Sequence, residues 1–177
     1  MLRSYKKKIK IGILGGTFDP PHVGHLHISK ISLKKLKLNK LIWIIAKKNP
    51  LKHKPYLKIK TRLKLSQEIT KKERKIFVQY LGNKIKSNNT YDLLNYIKKK
   101  NKRSKLYFLI GADNLIKFHK WKYWKKIPTV AKIIVFPRQN YSIKAVNSVA
   151  SKNLNKNDWL YMSAKKINIS SSLIRKF

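Results

Sequence analysis

Six short apolar runs, each the length of a strand, alternate along this chain with segments whose apolar residues recur at helical spacing. The runs are residues 8–14, Leu41-Ile42-Trp43-Ile44-Ile45, Ile76-Phe77-Val78, Leu106-Tyr107-Phe108-Leu109-Ile110, Ile133-Ile134-Val135-Phe136 and Trp159-Leu160-Tyr161-Met162. Helices are expected over 23–37, over 57–70, from Tyr91 to Lys99, as short pieces within 112–127, and from Ser170 to Lys176 behind a serine cap. In the first of these, Leu26, Ile28, Ile31, Leu33, Leu36 and Leu38 give a broad apolar face. The prolines of Asn49-Pro50-Leu51-Lys52-His53-Lys54-Pro55 mark a loop, and Asn88-Asn89-Thr90 reads as a loop and cap. This alternation predicts an α/β fold, with a parallel sheet, right-handed crossovers and helices on both faces. Ligands of such sheets sit outside the carboxyl ends of the strands. No repeat, linker or boundary interrupts the pattern, so residues 1–177 are expected to form a single domain.

Composition narrows the chemistry. A chain of 177 residues can bury roughly 70% of its unfolded surface, enough for a core without staples. It contains no cysteine, which excludes disulfides and thiolate nucleophiles and suits a reducing cytoplasm. The basic stretch and apolar run at the N-terminus resemble a secretory leader, but the apolar part is short and runs into Gly-Gly and Asp-Pro-Pro. A cytoplasmic location is expected, with no membrane partner. The 44 Lys and Arg against 6 Asp and Glu give a formal charge of +38. Such a charge suggests nucleic-acid binding. Against it, the lysines are spread over every segment and arginine, the side chain suited to bidentate reading, is scarce. The expectation is a generally solvated lysine surface that attracts small anions, with no specific nucleic acid.

Two clusters carry candidate chemistry. The first run leads into Gly15-Gly16-Thr17-Phe18-Asp19-Pro20-Pro21-His22-Val23-Gly24-His25. Glycines after a buried strand permit a tight turn and close approach of a ligand, and the N–H groups there, with the next helix's positive end, form an anion site. An ordinary strand–helix turn would use the same glycines. His22 and His25 are three apart at the helix entry and can share a face, with Gly24 clearing space between them. They could equally serve as helix caps. Two histidines with Asp19 as the one nearby carboxylate make a poor tetrahedral zinc site, so no protein metal ligand is assigned. At the far end stand Ser170-Ser171-Ser172 and Arg175, hydroxyls and a guanidinium suited to phosphate oxygens or, more plainly, a capped helix with a solvated arginine.

Together these clusters resemble the nucleotidyltransferase superfamily with the His-x-Gly-His motif, whose second signature is Ile-Ser-Ser-x-x-x-Arg. Within it the chain is similar to the bacterial nicotinate-nucleotide adenylyltransferases through Gly111-Ala112-Asp113-Asn114-Leu115 with Phe118, Trp121 and Trp124, through Trp43 to Lys52, and through Asn89-Thr90-Tyr91-Asp92. The resemblance covers residues 8–177. It departs at Asn88, Asn89 and Leu93, and at Arg138-Gln139-Asn140-Tyr141, where the family usually has Arg-Pro-Gly-Tyr.

The resemblance implies a Rossmann-like nucleotidyltransferase fold and a reaction joining ATP and nicotinate mononucleotide, with Mg2+ carried on the phosphates. It implies that His22 and His25 act on the α-phosphate and that Gly16, Thr17, Phe18, Gly24, Gly111, Asp113, Ser170, Ser171, Ser172 and Arg175 complete the ATP site. It implies that Trp121 stacks on the pyridine ring, against the alternative of core packing, that Thr90 meets the carboxylate, and that Lys52 and Arg138 meet the mononucleotide phosphate. The branch acting on phosphopantetheine usually carries threonine where this chain has His22. Sequence leaves open the choice between nicotinate and nicotinamide mononucleotide, and the oligomeric state, a homo-oligomer included.

Overall fold

The structure, a computed structural model, describes residues 8–49, 51, 54–85, 87–164 and 171–175. Strands β1 (Ile9–Gly16), β2 (Lys40–Ile45), β3 (Ile76–Gln79), β4 (Ser104–Gly111), β5 (Ala131–Phe136) and β6 (Trp159–Tyr161) form one sheet in the order β3-β2-β1-β4-β5-β6. Every neighbouring pair is parallel. The helices are α1 (Val23–Lys35), α2 (Ile59–Thr70), α3 (Thr90–Lys100), α4 (Ala112–Lys117), α5 (Ser142–Val146), α6 (Val149–Asn153) and α7 (Ser171–Ile174), with 3-10 turns at Phe118–Lys120 and Trp124–Thr129.

The central strands are largely apolar because both faces of the sheet are covered there, whereas the edge strands β3 and β6 leave Phe77 and Leu160 exposed. Alternate residues divide between two cores. Ile11, Ile13, Ile42, Ile44, Leu106, Phe108, Ile110, Ile133 and Val135 face one side and pack with Leu94 and Ile97 of α3, Leu115 of α4, Ala145 of α5 and Ala150 of α6. Leu14, Leu41, Trp43, Ile45, Tyr107, Leu109, Ile134 and Phe136 face the other, beneath the half-buried leucines and isoleucines of α1 and α2. The expected helices on both faces are therefore present.

Two details depart from the sequence reading. Of the predicted apolar face, Leu26, Ile28, Ile31, Leu33 and Leu36 are only half-buried while Leu38, beyond the end of α1, is buried, and within α1 the fully buried positions are Ser29 and Ser32. Their small side chains let the helix approach the sheet, and their hydroxyls donate back to the carbonyls of His25 and Ile28, both at 2.7 Å. The short helices α5 and α6 carry no amphipathic period and lie where no element was expected. Among the described residues, no helix is long and apolar enough to cross a membrane.

Candidate active site

The strand order reverses between β1 and β4, which lie side by side and end at Gly16 and Gly111. Such a switch point opens a crevice at the carboxyl ends. A cavity of about 730 Å³ occupies it. Fourteen of the sixteen residues expected at the site line this one cavity: Gly16, Thr17, Phe18, His22, Gly24 and His25 after β1; Thr90; Gly111, Asp113, Trp121 and Arg138 beyond β4 and β5; and Ser171, Ser172 and Arg175 from the far end of the chain. Lys52 and Ser170 lie outside the described residues.

The exit from β1 corrects one expectation. Gly15 and Gly16 remain in the strand, and no described glycine has a positive φ. The turn is made by Phe18, at φ 49°. A left-handed non-glycine residue costs on the order of 1–3 kcal/mol. Burial of the Phe18 ring, stacked 4.9 Å from Trp43 at 16°, offsets that cost. The glycines keep the strand end clear of side chains where the cavity begins.

His22 caps α1 in an extended conformation. Its backbone N–H donates to Nδ1 of His25 at 3.3 Å, so that Nδ1 accepts and Nε2 is the nitrogen left to donate. The two imidazoles lie 3.8 Å apart. The His25 ring rests 4.7 Å from Phe18 and 5.9 Å from Trp43. The Trp43 indole N–H donates to Ser29 Oγ at 2.8 Å, and that hydroxyl donates to the His25 carbonyl. Ring and backbone of His25 are thus both fixed from the core. Burial, with the nearby Arg138 guanidinium as the smaller cause, lowers the His22 pKa to about 4. His22 is therefore neutral at pH 7. Beside the two rings, the first-turn amides of α1 point out of the helix, a ready anion site.

The C-terminal motif meets this loop from about 150 residues away in sequence. Ser171 Oγ donates to the Pro20 carbonyl at 2.8 Å. Arg175 donates to the Asp19 carbonyl, lies 3.7 Å from the Asp19 carboxylate, and stacks 4.8 Å from the centre of the Tyr56 ring. Its second nitrogen donates to Ser172 Oγ at 3.3 Å. Hydroxyls and a guanidinium are thereby gathered beside the two histidines.

On the β4 side, the Asp113 carboxylate accepts from Arg138 at 2.8 Å. It also lies so close to Gly111 that a Cβ there would sit 2.6 Å from Oδ1, so any larger residue would push the Asp113 carboxylate aside. Arg138 is joined to Asp113 across the ends of β4 and β5. The cavity extends into a second lobe that reaches Thr90 and Trp121 and begins at α3, whose cap Asn89 accepts from the Asp92 N–H at 2.9 Å. Thr90, the first helical residue, carries one of the amides that a helix leaves without an internal partner. Trp121 packs 5.1 Å from Phe118 and 6.2 Å from Phe108 while also lining the cavity. Lys47, Lys48 and Asn49, from the loop that contains Lys52, line it too.

No group of three or more His, Cys, Asp or Glu among the described residues could hold a metal ion. Sequence reasoning gave no structural role to Asp19 and passed over Arg62, the buried charges beneath the site. A signal was available: the chain has six arginines in all, and Arg62, Arg138 and Arg175 converge here. In a lysine-biased composition, arginine stands where a planar fork of donors is needed.

Residues 13–177 match the Cytidylyltransferase-like family. The chain is 48% identical to a nicotinate-nucleotide adenylyltransferase of Pelagibacter ubique over 171 residues, covering 97% of this chain and 94% of that protein. It is 29% identical to one from Bradyrhizobium over 94% of this chain and 95% of that one. Among solved structures, the fold matches a nicotinic acid mononucleotide adenylyltransferase of Plasmodium falciparum complexed with NaAD, with TM-score 0.73, 24% identity, and coverage of 96% of this chain and 83% of that one. A parallel sheet with this strand order, a crevice at its switch point lined by both terminal motifs, and near-complete alignment with these relatives lead to one assignment: the chain belongs to the nicotinate-nucleotide adenylyltransferase family, within the Cytidylyltransferase-like proteins.

Proposed function

We propose that this protein transfers the adenylyl group of ATP to nicotinate mononucleotide, giving nicotinate adenine dinucleotide and pyrophosphate. The observation that carries the reading is the convergence of His22 and His25 with Ser171, Ser172 and Arg175 on one cavity that extends to Thr90 and Trp121. A triphosphate clamped between the two motifs leaves its α-phosphorus facing the second lobe. The 5′-phosphate oxygen of the mononucleotide attacks that phosphorus in line. The bond between the α-phosphorus and its bridging oxygen to the β-phosphate breaks, and the electron pair leaves with pyrophosphate. No protein nucleophile takes part, so the rate enhancement rests on positioning and charge stabilisation.

In this reading the Nε2 proton of His25 and the amides of Thr17 and Phe18 are directed at the α-phosphate, and His22 accepts a proton as the polyanion arrives. Gly16, Gly24 and Gly111 leave room for the nucleotide. Ser170, Ser171, Ser172 and Arg175 take the departing phosphates, and Asp113 meets the ribose of ATP. Thr90 offers its helix-start amide to the nicotinate carboxylate, Trp121 stacks on the pyridine ring, and Lys52 and Arg138 meet the mononucleotide phosphate. The first-turn amides of α3 and the surrounding cations favour the acid over the amide. Mg2+ enters as part of the Mg–ATP substrate, held mostly by phosphates and water, since no carboxylate cluster is gathered among the described residues. A single cytoplasmic domain, alone or as a homo-oligomer, fits this chemistry.

The test is pyrophosphate release from the purified chain with Mg–ATP and each mononucleotide in turn, with His25→Ala beside the wild type. Turnover is expected with nicotinate mononucleotide, well above that with the nicotinamide form. His25→Ala is expected to fold normally and lose on the order of 10²–10³ in kcat, the range for removing one transition-state donor. Absence of pyrophosphate with either mononucleotide would overturn the assignment.

A further inference from the structure

Arg62, in the first turn of α2, is 1% exposed and does not line the cavity itself, but it grips the loop after β1 from beneath through the Thr17 carbonyl. Its guanidinium donates to four backbone carbonyls. Nε reaches Leu57 at 3.0 Å, one terminal nitrogen reaches Thr17 at 2.6 Å and Ala46 at 2.8 Å, and the other reaches Lys47 at 3.2 Å. These carbonyls belong to three separate segments: the turn after β1, the end of β2, and the approach to α2. The charge is balanced by Asp19, itself 3% exposed. The Asp19 carboxylate accepts the N–H groups of Tyr56 and Leu57, each at 2.9 Å. Leu57 is therefore held by its N–H and its carbonyl at once, and Asp19 carries the connection on to Arg175.

A buried charge is a poor way to gain stability, since its desolvation cancels much of what its contacts return. Its planar fork, by contrast, fixes the relative position of every carbonyl it binds. Two of the segments so joined line the cavity: Thr17 and Phe18 beneath the phosphates, and Ala46 to Asn49 on the loop leading to the second lobe. We infer that Arg62, balanced by Asp19, is a positioning residue that sets the distance between the two nucleotide subsites by stapling the phosphate loop to the loop after β2. The inference rests on the two-substrate reading above for its consequences in the rate and in ATP binding, and on the structure alone for its consequence in loop order.

The experiment compares wild type, Arg62→Lys and Asp19→Asn as purified full-length chains, by melting temperature, steady-state kinetics, ATP affinity and amide hydrogen exchange. Lysine keeps the charge but cannot span the same four carbonyls. Arg62→Lys is expected to stay folded and lose about 10- to 100-fold in kcat, the scale of a small misplacement of reacting groups. It is also expected to raise the KM of both substrates, and to speed exchange at Tyr56 and Leu57. Asp19→Asn is expected to show the same pattern and serves if the arginine variant fails to fold. In Arg62→Ala, millimolar guanidinium is expected to restore part of the rate, while the same concentration of methylammonium does not. A lowered melting temperature with kcat, both KM values, ATP affinity and exchange unchanged would make Arg62 a packing element and overturn the inference. Should the wild type itself release no pyrophosphate, the functional reading fails, while exchange at Tyr56 and Leu57 still decides the staple.

Discussion

At the residue scale, the site depends on the protonation of one imidazole. Burial and Arg138 bring the His22 pKa to about 4, against an unfolded value of 6.5. Between those values the unfolded chain binds more protons than the native one, so His22 favours the native state fully above pH 6.5 and loses that contribution as pH falls towards 4. A bound triphosphate reverses the local field and raises the pKa again. Binding of ATP with magnesium in excess is therefore expected to take up protons at pH 6. Titration calorimetry in buffers of different ionisation enthalpy reads this directly, and His22→Asn is expected to abolish it. An uptake unchanged in that variant would remove His22 from the phosphate site.

At the element scale, what was legible in the sequence was what local physics controls. The six strands read out because each is apolar on both faces, and α1 to α4 because each has a period or a cap. Both terminal motifs were visible because hydroxyls, imidazoles and glycines cluster within a few residues. The helices α5 and α6 were not, being one-turn elements with no period. The staple of Arg62 was hidden for a different reason: its partners are backbone carbonyls, which every sequence supplies equally. The glycine turn was misread because strand β1 runs on to Gly16 and hands the left-handed position to Phe18, whose ring is fixed by Trp43, distant in sequence. The start of α3 offers a test of the cap that was read correctly. Asn89 accepts from the Asp92 N–H and donates to the Asp92 carboxylate at 2.7 Å. Asn89→Ala is expected to cost about 1 kcal/mol, read as a fall of about 2–4 °C in melting temperature. Because Thr90 follows the cap, the KM for the mononucleotide is expected to rise while that for ATP stays put. An equal rise in both would detach α3 from the second subsite.

At the scale of the whole molecule, charge is the governing fact. All six acidic residues are already committed. Asp19 holds Tyr56, Leu57 and Arg175; Glu68 pairs with Lys71, Glu73 with Lys30, and Asp113 with Arg138; Asp92 is tied to Asn89 and Asp158 to Asn155. With a net charge of +38, the remaining cations face one another across solvent, and this self-repulsion opposes the compact state. Salt shortens the reach of that repulsion, from about 30 Å at 0.01 M to about 10 Å at 0.1 M. The melting temperature is therefore expected to climb as potassium chloride is raised over that range, since few ion pairs stand to be weakened. The same field concentrates ATP at the cavity, so the KM for ATP is expected to climb as well, giving stability and affinity opposite responses to one variable. RNA held by the diffuse lysine surface should be released steeply over the same range, because each released counterion contributes to the salt dependence. A flat melting temperature would mean that the cations are compensated in some way the fold does not reveal. RNA retained through roughly physiological salt would make the charge a recognition surface instead of a compositional background.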